Sequence, residues 1–382
     1  MNILYVGYEK GLNGGSRSLI NLISHLECDL NNNIYVLTSF GEGPFFDELQ
    51  KHRVTVIVKK YYPWILHKSE DNKWVKQKIK YRYAKSIINN IVGKQIANFI
   101  KDKDIQIIHT NSSVINIGGI AHKYSGVYHI WHIREFGDLD FGMYPLLSRK
   151  ETYGFMNRNA DVFVANSIAV AEHYTLLDRT RMMVIYNGVD SNNVIKYHTH
   201  HENINILLAA RYEPSKGQDD AFKACRQLLK EGYQNFHIFF AGSGYPSAVD
   251  HDIQKYVSLL GNVNNLPELR KKIDIELVCS RCEAFGRVTA EAMLSKIAVI
   301  GTRSGGTPEL IQDGVTGLLY ESGNYSELCH KIEYLIDNNE IRVQLGCNAQ
   351  NYAIEHFTDD IYFNNINTLY QQALSSDNRS GG

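Results

Sequence analysis

No stretch of this 382-residue sequence approaches the ~20 consecutive apolar residues that a spanning helix requires, so any meeting with a membrane is expected from the surface. The N-terminus, MNILYVGYEKG, has about five apolar residues before a glycine-rich turn and no small-residue cleavage site. It reads as a first β-strand rather than a leader. Cysteine is sparse: Cys28, Cys225, Cys279, Cys282, Cys329 and Cys347 are scattered, which argues against a disulfide framework and for a reducing, cytoplasmic setting. No internal repeat recurs at a fixed period. Nor is there a surplus of either charge. Forty Lys and Arg against 41 Asp and Glu leave a net −1, which argues against a polyanion binder, and no nucleic acid partner is expected. That balance hides an asymmetry, because residues 1–190 carry +5 and residues 191–382 carry −6.

What is present is an ordinary globular composition, 44% hydrophobic and 21% charged, at a length that suits two domains. Short apolar runs alternate with longer helical patterns, the signature of βαβ units around parallel sheets. Strands are expected at Ile3–Val6, Ile34–Thr38, Val54–Val58, Ile105–His109, Tyr128–His132, Val162–Ala165 and Met183–Tyr186. The rhythm pauses over the polar residues 191–203 and restarts with strands at Ile204–Ala209, Phe236–Phe240, Ile275–Val278 and Ala298–Gly301. Helical patterns lie around 218–231, 286–295 and 325–338. The expected fold is therefore α/β: two Rossmann-like, doubly wound domains, residues 1–190 and 203–357, facing each other across a cleft. In such sheets ligands gather at strand carboxyl ends and helix N-termini, so function is sought just after strands.

Three segments have that placement. After the first strand, GLNGGSRSLINLI sets Gly11, Gly14 and Gly15 before a helix starting near Ser16, where backbone N–H groups could approach a phosphate or merely turn the chain. After Ile204–Ala209, the loop RYEPSKG carries Arg211 and Lys216, two cations suited to clamp a diphosphate. After Ile275–Val278 comes CSRCEAFGRVTAEAM, with Glu283 in the loop and Glu291 early in a helix. The amides of Gly286, Arg287 and Val288 could bind phosphate oxygens while the carboxylates accept hydrogen bonds from sugar hydroxyls. Cys279 and Cys282 have redox or zinc half-site spacing but no second pair, so packing is the expected role, and His198, His200 and His201 read as a surface tract.

The strings EAFGRVTAEAM, RYEPSKG, NGG and YNGVD, in this order-preserving arrangement, closely resemble the retaining, GT-B-fold nucleotide-sugar glycosyltransferases of family four. The resemblance implies that Glu283, with Phe285 and Gly286, holds the donor sugar, and that Glu291 binds the ribose. It places Arg211, Lys216, Gly286, Arg287, Val288, Gly14 and Gly15 on the donor diphosphate. Gly242, Gly244, Asn262 and Val263 match the lining of the nucleobase pocket, and Gly305, Gly306 and Glu309 also follow the pattern. His132, after a strand of the first domain, falls where the family often has a histidine facing donor sugar and acceptor; Arg134 and Glu135 beside it either bind acceptor or pair with each other. A last helix, about 358–376, would cross back to the first domain. The chain departs from the family at Lys296 and Ala298, where Gly and Pro are usual, and at Ala210, where Gly is usual.

The implied reaction is metal-independent transfer with retention of a hexose or hexosamine, with UDP-sugar the default donor. Arg211, Lys216 and the helix amides would stabilise the leaving phosphate, whose own oxygen accepts the acceptor's proton. No Asp-x-Asp metal motif is expected in this sequence. A saccharide or lipid-linked acceptor and a bacterial surface polysaccharide product, such as capsule, are expected. The rivals are a sugar-nucleotide epimerase or phosphorylase on a similar scaffold and a catalytically inactive sugar-nucleotide-binding protein. Finally, residues 59–85 hold nine Lys or Arg against Glu70 and Asp71, with Tyr61, Tyr62, Trp64, Trp74, Tyr81 and Tyr83 interleaved. That composition suits an anionic lipid surface and suggests a peripheral position on the inner face of the cell membrane, against the bland reading of a solvated helix face.

Overall fold

The structure, a computed structural model, describes residues 1–67, 75–195, 203–245 and 249–377, with backbone alone for 75–83 and 376–377. The chain divides into two compact units, Met1–Gly188 with Asp359–Gly382, and Val189–Thr358.

The first unit contains β1 (Asn2–Val6), β2 (Asn33–Thr38), β3 (Thr55–Val58), β4 (Ile65–His67), β5 (Ile107–Thr110), β6 (Tyr128–Ile133), β7 (Met143–Pro145), β8 (Val162–Ala165) and β9 (Met182–Val184). Seven of these form a parallel sheet in the order β3-β2-β1-β5-β6-β8-β9. The second unit contains β10 (Ile204–Ala209), β11 (Phe236–Ala241), β12 (Val257–Gly261), β13 (Ile275–Val278), β14 (Ala298–Thr302) and β15 (Leu318–Tyr320), all parallel in the order β12-β11-β10-β13-β14-β15. Central strands such as β5 and β13 are buried at every position because helices cover both faces, which is why they read as unbroken apolar runs. The order reverses between β1 and β5 in one sheet and between β10 and β13 in the other. In parallel sheets of this kind, ligands bind at the strand carboxyl ends beside such a reversal.

The helix Asp359–Asp377 belongs to the first unit, where Tyr362, Ile366, Leu369, Tyr370 and Ala373 join a core shared with Leu19, Ile23, Ile107 and Ile130. Their spacing of three and four residues puts them on one helical stripe. The sequence reading missed β4 and β7, a two-stranded antiparallel ribbon, together with β12 and β15. Three of those four are only three residues long, too short to display a period.

Two local findings revise the sequence reading. Tyr61 is fully buried and donates from its hydroxyl to Gly7 O, and Trp64 is 5% exposed and stacked on Trp131. These two aromatics build the core and are unavailable to a lipid surface; Trp74 and the Lys68–Lys73 segment lie outside the described residues. Lys296 takes φ +60°, just past the helix Arg287–Leu294, while its N–H bonds to Met293 O and the next N–H to Ala292 O. This is a helix C-terminus of the kind where glycine avoids the left-handed penalty. Lys296→Gly is expected to raise stability by about 1 kcal/mol, read as a higher melting temperature, since a side chain in this conformation costs that much. An unchanged or lower melting temperature would contradict the strain.

Candidate active site

In the second unit the loops after β10 and β13 meet at the point where strand order reverses. Pro214–Lys216 forms a short 3-10 turn that ends at Gly217, whose φ is +65°. A Cβ there would lie 2.0 Å from Cys279 O, so glycine is what allows the two loops to close. Arg281 N donates to Ser215 O at 2.7 Å and seals them. The result brings Lys216 Nζ to 2.6 Å from Glu283 Oε1, and Ser280 Oγ donates to the same oxygen at 2.5 Å. Both charged side chains keep about a quarter of their surface open, 27% and 21%. Behind them, Gly306 N donates to Glu283 O at 2.7 Å, while a Cβ on Gly305 would meet that oxygen at 2.5 Å. The glycine pair thus fixes the Glu283 backbone from the β14 side.

Gly286 sits at φ +88° as the residue capping the helix Arg287–Leu294, and Phe285 before it is buried. Glycine's conformational freedom turns the chain sharply from the Glu283 loop into the helix, leaving the first-turn amides of Arg287 and Val288 at its N-terminus. Arg211, by contrast, is drawn to Glu213, Nε to Oε1 2.7 Å, and is largely exposed. The two cations of RYEPSKG therefore have separate carboxylate partners rather than a joint one. Glu291 accepts from Arg270 Nη1 at 3.1 Å and lies 3.7 Å from Arg287 Nη2. Sequence reasoning missed Arg270 and its second partner Glu276, although a glutamate inside the strand IELV was a visible anomaly.

The places assigned to the nucleobase are held together by backbone bonds. Gly242 N donates to Gly261 O at 2.7 Å, just ahead of Asn262 and Val263, and Tyr212 N donates to Ser243 O at 2.8 Å. Gly242 at φ +149° passes so close to β10 that a Cβ would be 2.1 Å from Ala210 O. Gly244, at φ +86°, lies over Tyr212.

The first unit has its own polar cluster at the ends of β1, β5 and β6. Asn13 and Ser16 form a reciprocal cap on the helix Gly14–Leu26, so Gly14 and Gly15 occupy its first turn. A Cβ on Gly15 would contact Arg134 Cδ at 3.4 Å and Glu9 Oε1 at 3.8 Å. Arg134 is buried and donates to Asn111 Oδ1, Asn187 Oδ1 and the Tyr362 hydroxyl. Glu135 instead accepts from Ser112 Oγ, Ser113 Oγ and Ser113 N, so the neighbours Arg134 and Glu135 each have other partners. Glu9 was not foreseen; burial pushes its carboxyl pKa up, and so does burial at Glu135. His132 Nδ1 lies 3.1 Å from His109 Nε2, His109 Nδ1 lies 2.6 Å from the Tyr370 hydroxyl, and that hydroxyl bonds Tyr5. Burial first, then the charge of Arg134, and last His129 for His109 and His109 for His132, hold both imidazoles well below their ordinary pKa, and so uncharged. His132 Nε2 is buried without a hydrogen-bond partner among the described residues.

Asp-x-Asp strings do occur, at Asp102–Asp104 and Asp138–Asp140 in the first unit and at Asp250–Asp252 in the second, where both carboxylates face Arg226. Asp138 faces Arg149 and His173, and Asp140 caps the N–H groups of Phe136 and Gly137. Cys279 is buried and Cys282 half-buried, and neither is in a disulfide. His198, His200 and His201 lie outside the described residues.

Two family models match, Glycosyltransferase Family 4 over residues 12–193 and Glycosyl transferases group 1 over residues 191–352. The chain belongs to the GT-B glycosyltransferases. An uncharacterized glycosyltransferase of Methanocaldococcus jannaschii is 28% identical over 282 residues, 72% of this chain and 77% of that protein. The capsular polysaccharide biosynthesis glycosyltransferase CapM of Staphylococcus aureus is 23% identical over 187 residues, and the match spans 47% of this chain and 49% of CapM. Among solved structures, Anabaena HepE in complex with UDP superposes with a TM-score of 0.79 at 21% identity, over 97% of this glycosyltransferase and all of HepE. That likeness confirms the two parallel-sheet units. No helix among the described residues of this glycosyltransferase is long and apolar enough to cross a membrane.

Proposed function

We propose that the second unit binds a nucleotide-diphosphate sugar, UDP-linked by preference, and that the enzyme transfers its hexose or hexosamine with retention to a saccharide or lipid-linked acceptor. The observation that carries this reading is the ion pair Lys216–Glu283, formed at the strand-order reversal beside the first-turn amides of Arg287 and Val288. A cation, a carboxylate and a helix N-terminus on converging loops match the three demands of a sugar diphosphate: charge on the phosphates, hydroxyls on the sugar, and negative charge that grows as the anomeric bond breaks. Lys216 and the helix amides would stabilise the leaving diphosphate, joined by Arg211 once it exchanges Glu213 for phosphate. Glu283 would accept from the sugar hydroxyls, and the leaving oxygen would take the acceptor's proton on the same face.

Glu291 is assigned to the ribose and the Gly242, Gly244, Asn262 and Val263 loops to the base. Gly14 and Gly15 suit a phosphate by the same amide chemistry, and the first unit, through His132 and Arg134, is assigned the acceptor. The UDP complex of HepE and the capsular role in CapM's name support UDP as donor nucleotide and a surface polysaccharide as product.

A thermal-shift panel of UDP, GDP, ADP and TDP with their glucose conjugates tests the donor half, because a ligand at 100 times its Kd stabilises by about 2.7 kcal/mol. UDP or UDP-glucose is expected to give the largest shift, and the shift is expected to survive chelator. No shift with any diphosphate would defeat the reading, and a shift abolished by chelator would defeat its metal-free form.

A further inference from the structure

We propose that Arg270 and Glu276 form a positioning pair that fixes the Glu291 carboxylate, and through it the preference for a ribonucleotide over a 2′-deoxyribonucleotide. The inference rests on the reading above, in which Glu291 holds the ribose.

The pair is anomalous as structure. Glu276 lies in the middle of β13, a strand buried at every position, and is itself fully buried. A parallel strand covered on both faces should be uniformly apolar, and a broken local rule of this kind points to a functional constraint. Arg270, the last residue of the short helix Leu266–Arg270, is equally buried. Stability is a poor explanation for their presence, because buried ion pairs are often matched or bettered by apolar side chains of similar volume. Here one buried guanidinium serves two carboxylates, and Arg287, 3.7 Å from Glu291, is the only other cation paired with them among the described residues.

Geometry supplies the explanation. Arg270 forks onto Glu276, Nε to Oε2 at 2.9 Å and Nη2 to Oε1 at 2.8 Å. A bidentate fork fixes the plane of the guanidinium. Its remaining nitrogen, Nη1, then has one direction, and Glu291 Oε2 stands there at 3.1 Å. Nη2 also reaches Val288 O at 3.4 Å, on the turn of the helix that carries Glu291. Burial works against the arginine's charge, but the Glu276 and Glu291 carboxylates overrule it, so the anchor stays protonated. Glu291 keeps 19% of its side chain open. One oxygen is thus pinned from inside while the side chain remains accessible from outside. A carboxylate held in place before the ligand arrives discriminates sharply against a ligand lacking the hydroxyl it expects, because its acceptor is then left without a donor.

The test uses the full chain, with UDP and 2′-deoxy-UDP as probes, or the matching pair for whichever base the thermal-shift panel selects. The parent is expected to bind the ribonucleotide about tenfold more tightly, the value of one charge-assisted hydrogen bond. Glu291→Gln should collapse that ratio. The double variant Arg270→Met with Glu276→Leu, which removes both buried charges, should melt at or above the parent temperature and yet lose most of the ratio. If it does not fold, Arg270→Lys, which keeps the charge and loses the fork, gives the same readout. An undiminished ratio in the double variant, or in Arg270→Lys, overturns the positioning role even where Glu291→Gln collapses it. An undiminished ratio in Glu291→Gln, or none in the parent, overturns the ribose reading itself.

Discussion

Glu283→Gln is expected to lower kcat by about 10²–10³-fold while the protein melts close to the parent temperature, the loss typical of removing one electrostatic group from a transition state. The glutamine keeps an oxygen for Ser280 Oγ but loses the charge opposite Lys216 Nζ. Because both members of the pair are partly open to water, the pair itself contributes little to folding. The proposed function places its value in what it does to a bound diphosphate sugar. Lys216→Ala should be as damaging and should also weaken UDP binding, since the ammonium is assigned to the phosphates in both ground and transition states. Steady-state transfer assays with calorimetric UDP titrations separate the two, and full turnover in either variant would remove the pair from the reaction.

The second large effect is expected at His132. His132→Asn leaves an amide near the Nδ1 position, facing His109, and deletes Nε2, the atom that has no hydrogen-bond partner among the described residues. If Nε2 contacts the acceptor saccharide, kcat/KM should fall about 100-fold, as for a lost buried hydrogen bond in a transition state. The imidazole is held uncharged by burial, so kcat/KM of the parent should not drop as pH falls through 6.5 on account of this group. An asparagine variant with parental kcat/KM would show that Nε2 plays no part in transfer, and a parental decline tracking a pKa near 6.5 would contradict the neutral imidazole.

Much of this was legible because it is local. Lys216 lies in a loop that begins where a strand of apolar residues stops, and Glu283, 67 residues later, does the same, so each could be placed without knowing the other's position. The three-residue strands β4, β7 and β15 were invisible because an apolar period needs more residues than they have. Arg270 was hidden for another reason. Its partners Glu276 and Glu291 lie on a strand and a helix, and only the folded packing of β13 against Arg287–Leu294 makes them one cluster. Tyr61 and Trp64 misled because lysines flank them in sequence, whereas the backbone turns their rings inward onto Gly7 and Trp131. Composition reports what a segment contains, not which side of it faces water.

The return of Asp359–Asp377 to the first unit has a consequence for biosynthesis. Tyr370, the partner of His109 and Tyr5, follows the whole second unit along the chain, and that unit is one continuous segment that has left the ribosome before Tyr370 does. Domains finish folding as their residues emerge. The first unit is therefore begun before the second and closed after it, and a chain cut short before residue 359 would hold a finished second unit and a first unit with an open core.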